Sequence, residues 1–279
     1  MKFHVVVGNP PYNGKAALHQ QCFNKCYDLL EAGGVMALIQ PATTYFNKKT
    51  TQKLAVDIMQ QIITTNPCEV KIENPEIFKN AGIQNDLSIT YLTKIQKQTT
   101  TIDRITYKNG NTYTNVPLAD ISMTQVDPVT YASIRGKYQK YVSVHGSLEN
   151  KITKLQGVSK AVLGKIRGTR PTDDDFYTFI PLRKNRAGYG ISKEASFGVE
   201  ISHDKEAAHV YDYLESYVAR FGLALLKFSQ NTANKEFALV PLVTFDQHYT
   251  DADLGNMLDL TKDEMDEIKR VIIPLYAGR

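Results

Sequence analysis

A short apolar run near the start of the chain ends in residues that neither a strand nor a helix can continue. Residues 3–13 read Phe-His-Val-Val-Val-Gly-Asn-Pro-Pro-Tyr-Asn. The β-branched run Val5–Val7 favours a strand, and its continuous apolarity predicts burial on both faces, as in a parallel sheet. Pro10 and Pro11 fix φ and lack N–H donors, so the strand must end before them. The sequence therefore predicts a stiff loop at the carboxyl end of a strand, where open α/β sheets bind ligands.

The residues of this loop, Asn9-Pro10-Pro11-Tyr12, resemble the catalytic motif of S-adenosylmethionine-dependent amino-methyltransferases, above all the γ-type N6-adenine DNA methyltransferases. The resemblance implies that the Asn9 side-chain oxygen and the Pro10 carbonyl accept hydrogen bonds from the target amine. Tyr12 would stack on a base that has been flipped out of the duplex. Transfer would be direct, so positioning would supply most of the catalysis. Methyltransferases of RNA and of protein glutamine share the motif, which therefore does not define the substrate.

The next eighty residues extend the resemblance. The passage 29–46, LLEAGGVMALIQPATTYF, is similar to the part of these methyltransferases that leads from a helix through Gly-Gly into the next strand. The resemblance places Phe78 in a loop whose aromatic residue closes the far side of the flipped base. The residue pattern predicts helices and strands in the order helix 15–31 ended by Gly33-Gly34, strand 35–39, helix 47–64, strand 69–72 and strand 87–92.

The length of 279 residues is sufficient for two domains, and the composition changes to Thr, Asn, Lys and Gly over residues 96–115. We interpret this stretch as a boundary with a small hairpin at Asn109-Gly110. The predicted domains are 1–105, the carboxyl-terminal half of a methyltransferase catalytic domain, and 116–279, a DNA target-recognition domain. The predicted fold class is α/β: a partial Rossmann-like methyltransferase sheet followed by an α+β target-recognition domain.

A basic block in the second half of the chain suggests contact with phosphates. Residues 135–193 contain 13 basic and 4 acidic residues. Basic side chains on a solvated face are the alternative. Glycines are interleaved with basic residues over 158–170, which favours a flexible loop that follows a nucleic-acid backbone. The candidate DNA-binding residues are Lys160, Lys165, Arg167, Arg170, Arg183, Lys184 and Arg186.

Other patterns in the second half predict structure rather than chemistry. Apolar spacing predicts a long amphipathic helix over 205–228, and apolar runs predict strands over 176–182 and 237–243. Thr250-Asp-Ala-Asp and Thr261-Lys-Asp-Glu are typical of capping boxes at two helix starts. The acidic residues of the tail would then lie at helix N-termini, which we prefer to a metal site.

The sequence indicates a cytoplasmic protein without a membrane anchor. No stretch approaches the roughly 20 apolar residues that span a bilayer, and the N-terminus lacks the features of a signal peptide. The three cysteines, Cys22, Cys26 and Cys68, do not form a disulfide framework. A metal pair at Cys22 and Cys26 is conceivable, but reduced buried thiols are favoured, and we predict no metal site.

The amino-terminal, cofactor-binding half of the catalytic domain that the resemblance implies is not found before Asn9 in this sequence. The resemblance implies a Gly-rich turn that binds the methionine part of S-adenosylmethionine and an acidic residue that holds its ribose, and neither is found in this sequence. Val5–Val7 would then form an exposed apolar sheet edge, which proteins avoid. We therefore expect a second protein chain, either a cofactor-carrying subunit or a second copy, to cover this edge. The alternative is that the chain is a natural or engineered fragment.

The leading hypothesis is a phage or bacterial DNA adenine-N6 methyltransferase of restriction-modification type, which methylates a flipped adenine in double-stranded DNA with S-adenosylmethionine. Its candidate catalytic residues are Asn9, Pro10, Pro11 and Tyr12, and Tyr12 and Phe78 would stack on the base. One alternative is an inactive DNA-binding specificity subunit or decoy. Another is a methyltransferase that acts on RNA or protein.

Overall fold

The computed structural model of the chain divides into two compact units, Met1–Val129 and Thr130–Arg279. It describes residues 1–12, 18–45, 53–73, 86–122, 125–153, 161–166, 179–181, 198–200, 204–226 and 234–272. In this part of the chain no helix is long and apolar enough to cross a membrane.

The first unit is built around one sheet. In chain order the strands and helices are β1 (Phe3–Gly8), α1 (Leu18–Leu29), β2 (Leu30–Pro41), α2 (Lys53–Thr65), β3 (Cys68–Glu73), β4 (Leu87–Thr93), β5 (Thr101–Thr106) and β6 (Thr112–Pro117). Among the described residues the strand order is β1-β2-β4-β3-β5-β6. The pairs β1–β2 and β3–β5 are parallel, and the other pairs are antiparallel. This open mixed sheet with helices confirms the predicted α/β fold class.

The core of the first unit lies between one face of the sheet and the two helices. Helix α1 packs against β2 and α2, and α2 also packs against β5. Phe23 of α1 and Met59 of α2 are fully buried, as are Leu38 and Val70 of the sheet. Burial of such side chains is the main favourable term for this unit.

The Gly33-Gly34 pair lies inside a strand and not at the end of a helix. Helix α1 ends at Leu29, and β2 continues through both glycines with a change of register against β1. Gly33 has φ of +76°, and a Cβ on Gly34 would lie 3.1 Å from the carbonyl oxygens of Phe3 and His4. The predicted helix end was therefore wrong, because the glycines form an irregularity where β2 passes close to β1.

The first strand lies at the end of the sheet. The predicted burial of Val5–Val7 on both faces is wrong for this chain, since Val5 and Val7 are exposed. The physical reasons are the strand order, in which β1 pairs with β2 alone among the described strands, and the packing of α1 on one face only, which leaves Val5, Val7 and Val35 exposed on the other. The second expectation for this strand, an exposed apolar edge, is confirmed.

The predicted hairpin at Asn109-Gly110 joins β5 to β6 and belongs to the first sheet. Gly110 has φ of +88°, and its N–H donates to the Tyr107 carbonyl at 2.8 Å. The tight turn requires this left-handed conformation, which glycine adopts without strain. The assignment of 116–279 to DNA target recognition stays a prediction.

The second unit combines helices with four short described strands. Its strands and helices are α3 (Pro128–His145, beginning at the unit boundary), β7 (Ile152–Thr153), β8 (Ala161–Ile166), β9 (Phe179–Pro181), β10 (Gly198–Glu200), α4 (Asp204–Glu215), α5 (Tyr217–Ala224), α6 (Asp251–Met257) and α7 (Lys262–Val271). The strand order is β7-β10-β8-β9, with every pair antiparallel.

Three predictions for this unit need correction. The single helix over 205–228 is interrupted at Ser216, whose side chain accepts a hydrogen bond from the Ala219 N–H and caps α5. Residues 237–243 form no strand, because a 3-10 helix ends at Phe237 and turns follow it up to Pro241. Residues 161–166, predicted as part of a flexible loop, form β8, whereas 154–160 and 167–170 lie outside the described residues.

The two predicted helix starts near the C-terminus are confirmed. Thr250 with Asp253, and Thr261 with Glu264, form complete capping boxes at the first turns of α6 and α7. Glu264 is buried and also accepts hydrogen bonds from Ser133 and Lys137 of α3, each at 2.6 Å. This buried ion pair ties α7 to α3, and the capping boxes satisfy N–H groups that would otherwise lack acceptors.

Candidate functional site

The Asn9–Tyr12 loop lies where two parallel strands end side by side. Gly8, the last residue of β1, is paired with Leu38 near the carboxyl end of β2. Residues Asn9 to Tyr12 leave the strand directly after this pair, because the two prolines cannot extend the ladder. The loop therefore lies at the carboxyl edge of the sheet, the position at which open α/β folds bind ligands.

Tyr12 is the anchor of the loop. Its hydroxyl donates to the Ile39 carbonyl of β2 at 2.9 Å and also contacts the side-chain oxygen of Asn9. Tyr12 is half-buried, and burial raises the pKa of its phenol, so the hydroxyl keeps its proton near neutral pH. The chain thereby holds an exposed amide oxygen, that of Asn9, next to an aromatic ring.

His19, at the start of α1, packs against this ring and was not identified from the sequence. The two rings meet edge to face, with centroids 6.4 Å apart and an interplanar angle of 80°. Both ring nitrogens of His19 are buried and have no hydrogen-bond partner among the described residues, and burial lowers its pKa to about 4. A neutral imidazole therefore supports Tyr12. The contact between His19 and Tyr12 depends on tertiary packing. A single histidine at the start of a helix does not predict it from the sequence.

A buried polar cluster lies beside the loop, at the end of β2, and was also missed. The Gln40 side-chain amide donates to the Thr90 hydroxyl at 3.2 Å, and the Ser88 hydroxyl donates to the Gln40 carbonyl at 3.1 Å. The Tyr45 hydroxyl contacts the Thr90 hydroxyl, and burial raises the pKa of Tyr45 to about 12. These hydrogen bonds hold the carboxyl end of β2, on which Tyr12 is anchored, against β4.

The other predicted site residues are only partly described. Phe78 lies outside the described residues, as do six of the seven candidate DNA-binding residues, namely Lys160, Arg167, Arg170, Arg183, Lys184 and Arg186. The seventh, Lys165, lies on β8, where it is paired with Ile180 of β9. The roles assigned to these residues stay predictions.

The described residues contain no cluster of three or more histidine, cysteine or acidic side chains that would hold a metal ion. Cys22, Cys26 and Cys68 are free thiols, and Cys68 is buried. Burial raises the pKa of the Cys68 thiol, so this group is an unreactive part of the core.

Comparison with known proteins gives distant structural similarities. No family model matches the chain, and no curated protein matches it. The M protein of the type I restriction enzyme EcoKI is similar over 38% of this chain and 25% of that chain, at 18% identity and a TM-score of 0.31. A structure from a type I R-M system is similar over 51% and 30% of the two chains, at 13% identity and a TM-score of 0.32. The chain thus spans about a quarter to a third of these structures.

Proposed function

We propose that this chain is the catalytic-loop and target-recognition part of a DNA adenine-N6 methyltransferase of restriction-modification type. The observation that carries the proposal is the Asn9–Tyr12 loop, which is anchored through the Tyr12 hydroxyl on Ile39 at the carboxyl ends of two parallel strands. The motif and its place in the sheet together match a site that orients an exocyclic amine.

The loop offers the two kinds of group that a flipped adenine requires. The Asn9 amide oxygen is exposed and has two lone pairs, so it can accept from the substrate amine while it contacts Tyr12. The Pro10 carbonyl is the second acceptor, because the prolines restrict the backbone there. The Tyr12 ring stacks on the base, with Phe78 on its other face. The basic residues 160–186 hold the phosphates.

The strand order leaves room for a cofactor-binding part beside β1. The cofactor would supply the methyl group beside the loop, yet β1 is the last described strand on that side of the sheet. We therefore place the cofactor pocket in a second protein chain that joins the sheet at β1. Asn9 and Tyr12 act on the base, and the partner supplies the methyl donor.

The test is methyl transfer by the complex that this chain forms in its native cells. The tagged chain is isolated with the chains bound to it and is incubated with duplex DNA and radiolabelled S-adenosylmethionine, and the modified nucleoside is identified. We expect N6-methyladenine, and we expect Asn9→Ala to reduce its formation by at least about 100-fold, as when an oriented polar contact is lost. The control Asn256→Ala changes an exposed amide of α6 and should retain full activity.

An inactive DNA-binding subunit is the second candidate function. It is favoured by the contact between Tyr12 and the Asn9 oxygen, which occupies one lone pair of the acceptor that the substrate amine would use. DNA binding by the isolated complex without methyl transfer would support it. Methylated RNA or protein as the product, with unmodified DNA, would contradict both candidates.

A further inference from the structure

The register of the first sheet aligns apolar side chains of three strands on one face. Directly paired residues share a face, and the pairs Val7–Ala37 and Ala37–Tyr91 place these three side chains in one row across β1, β2 and β4. A neighbouring row contains Val5 and Val35. Because side chains alternate along a strand, all five point away from α1 and α2. We call this set the open face: Val5, Val7, Val35, Ala37 and Tyr91.

The open face is exposed, whereas the opposite face of β2 and β4 is buried. Val5 is 58% exposed, Val7 72% and Tyr91 47%. Met36, between Val35 and Ala37 on β2, and Leu92, next to Tyr91 on β4, point to the other face and are almost fully buried. The sheet therefore has a covered face and an uncovered apolar face, which in a functional protein usually marks an interaction surface.

The composition of the same face changes away from β1. Beyond Tyr91 the row continues with Glu69 of β3 and Arg104 of β5, which form an exposed ion pair. Lys71 and Glu73 on the same face of β3 also pair. These charged groups suit contact with water, so the apolar part is confined to the strands nearest the free edge of β1.

A second copy of this chain would not cover both the edge and the open face. Antiparallel pairing of two β1 edges about a twofold axis perpendicular to the sheet leaves both open faces uncovered on the same side. Two copies packed face to face would cover the apolar side chains but leave both β1 edges without backbone partners. A partner that pairs with the backbone of β1 and also covers the apolar side chains of the open face needs both a strand and a helix.

We propose that a strand-helix unit of a different protein chain docks here, with its strand paired to β1 and its helix on the open face. Helix α1, which connects the parallel strands β1 and β2, covers one face. The partner's helix must therefore pack on the opposite face, across β1, β2 and β4, where the apolar side chains of the open face are exposed. This inference rests on the proposed function only in identifying the docked chain with the cofactor-carrying partner.

Site-specific photo-crosslinking in the native cells tests the proposal. A benzophenone amino acid is placed at Val7 on the edge strand or at Tyr91 on the open face, and the linked peptides are identified by mass spectrometry. The controls are Thr114 on the opposite edge strand, β6, and Lys71 on the charged part of the same face, both of which are exposed. Thermal unfolding of each substituted chain should match that of the unsubstituted chain.

We expect Val7 and Tyr91 to link to one other polypeptide, at two segments within about 30 residues of each other, which is the size of a βαβ unit. Neither control should link to that polypeptide. The proposal would be overturned if Val7 and Tyr91 linked only to a differently tagged second copy of this chain, or if they linked to two unrelated chains. It would also be overturned if their yields of adduct were no higher than those of the controls. Asn9→Ala should leave the adducts unchanged, so loss of methylation and loss of docking are separate outcomes.

Discussion

Tyr12 joins the candidate site to the sheet through one hydroxyl group. That hydroxyl donates to the Ile39 carbonyl and contacts the Asn9 oxygen, while the ring packs on His19. The tyrosine thus has a positioning function through its oxygen and a proposed stacking function through its ring. Substitutions that remove these groups one at a time distinguish the two functions.

Tyr12→Phe keeps the ring and removes the hydroxyl, so we expect the free energy of unfolding to fall by about 1 kcal/mol. Methylation by the assembled complex should continue. Tyr12→Ala also removes the stacking surface, which is worth about 1–3 kcal/mol per base, so kcat/KM should fall by roughly 5- to 150-fold more than in Tyr12→Phe. Chemical denaturation and initial-rate kinetics provide the two measurements. Equal kcat/KM values for the two variants would exclude stacking by Tyr12.

The buried imidazole of His19 predicts a pH dependence of stability. Its pKa is lowered from the ordinary value of 6.5 to about 4, so between these values the unfolded chain binds a proton that the folded chain does not. The contribution of His19 to stability is therefore complete above pH 6.5 and is lost as the pH falls towards 4. Denaturant unfolding at pH 7.5 and pH 5 should show a smaller decrease in His19→Phe than in the unsubstituted protein. An identical decrease in both proteins would contradict this assignment.

Features that are determined by residues close together in the sequence were predicted correctly. The two capping boxes were identified because Thr250 and Thr261 meet acidic partners three residues later. The break at Ser216 was missed because apolar residues keep helical spacing on both sides of it. The continuous apolarity of Val5–Val7 wrongly predicted burial on both faces, because it does not show what packs on the strand, whereas the edge position of the strand was predicted correctly. Local chemistry thus predicted the Asn9–Tyr12 loop, while the packing of His19 behind it depends on the fold.

Gly222 of α5 tests how closely the second unit is packed. A Cβ at this position would lie 2.8 Å from the Leu239 carbonyl oxygen and 3.1 Å from a ring carbon of Tyr138. Gly222→Ala should therefore lower the free energy of unfolding by about 1–3 kcal/mol, the usual cost of overpacking. Gly136→Ala on α3 is the matched control, because a Cβ there meets no atom within 4 Å. It should raise stability by about 0.5–1 kcal/mol through helix propensity. Denaturant titration of both variants gives the comparison, and equal effects would show that α5 has room for a methyl group.

At the scale of the whole molecule, the proposed contact of the basic residues 160–186 with DNA phosphates predicts how DNA binding responds to salt. If the basic residues contact phosphates, the logarithm of the affinity should fall linearly with the logarithm of salt concentration, with a slope of about −0.9 per contact. Replacing Arg183, Lys184 and Arg186 by alanine should reduce the magnitude of the slope by about 3. Lys262→Ala removes an exposed charge from α7, outside the basic block, and should leave it unchanged. Fluorescence anisotropy with labelled duplex DNA measures both, and an unchanged slope in the triple variant would contradict these contacts.

The outer edge of β1, which has no partner strand among the described residues, would make the stability of the first unit depend on the concentration of the proposed partner. A partner that binds the folded unit and not the unfolded chain adds RT ln(1 + [L]/Kd) to its stability, about 2.7 kcal/mol when the partner is present at 100 times Kd. Dilution alone would therefore lower the melting temperature of the complex, although no residue had changed. A cell that makes this chain in excess of its partner would hold the surplus in the less stable form, in which Val5 and Val7 are exposed. Proteolysis of that surplus would keep the two chains in fixed proportion.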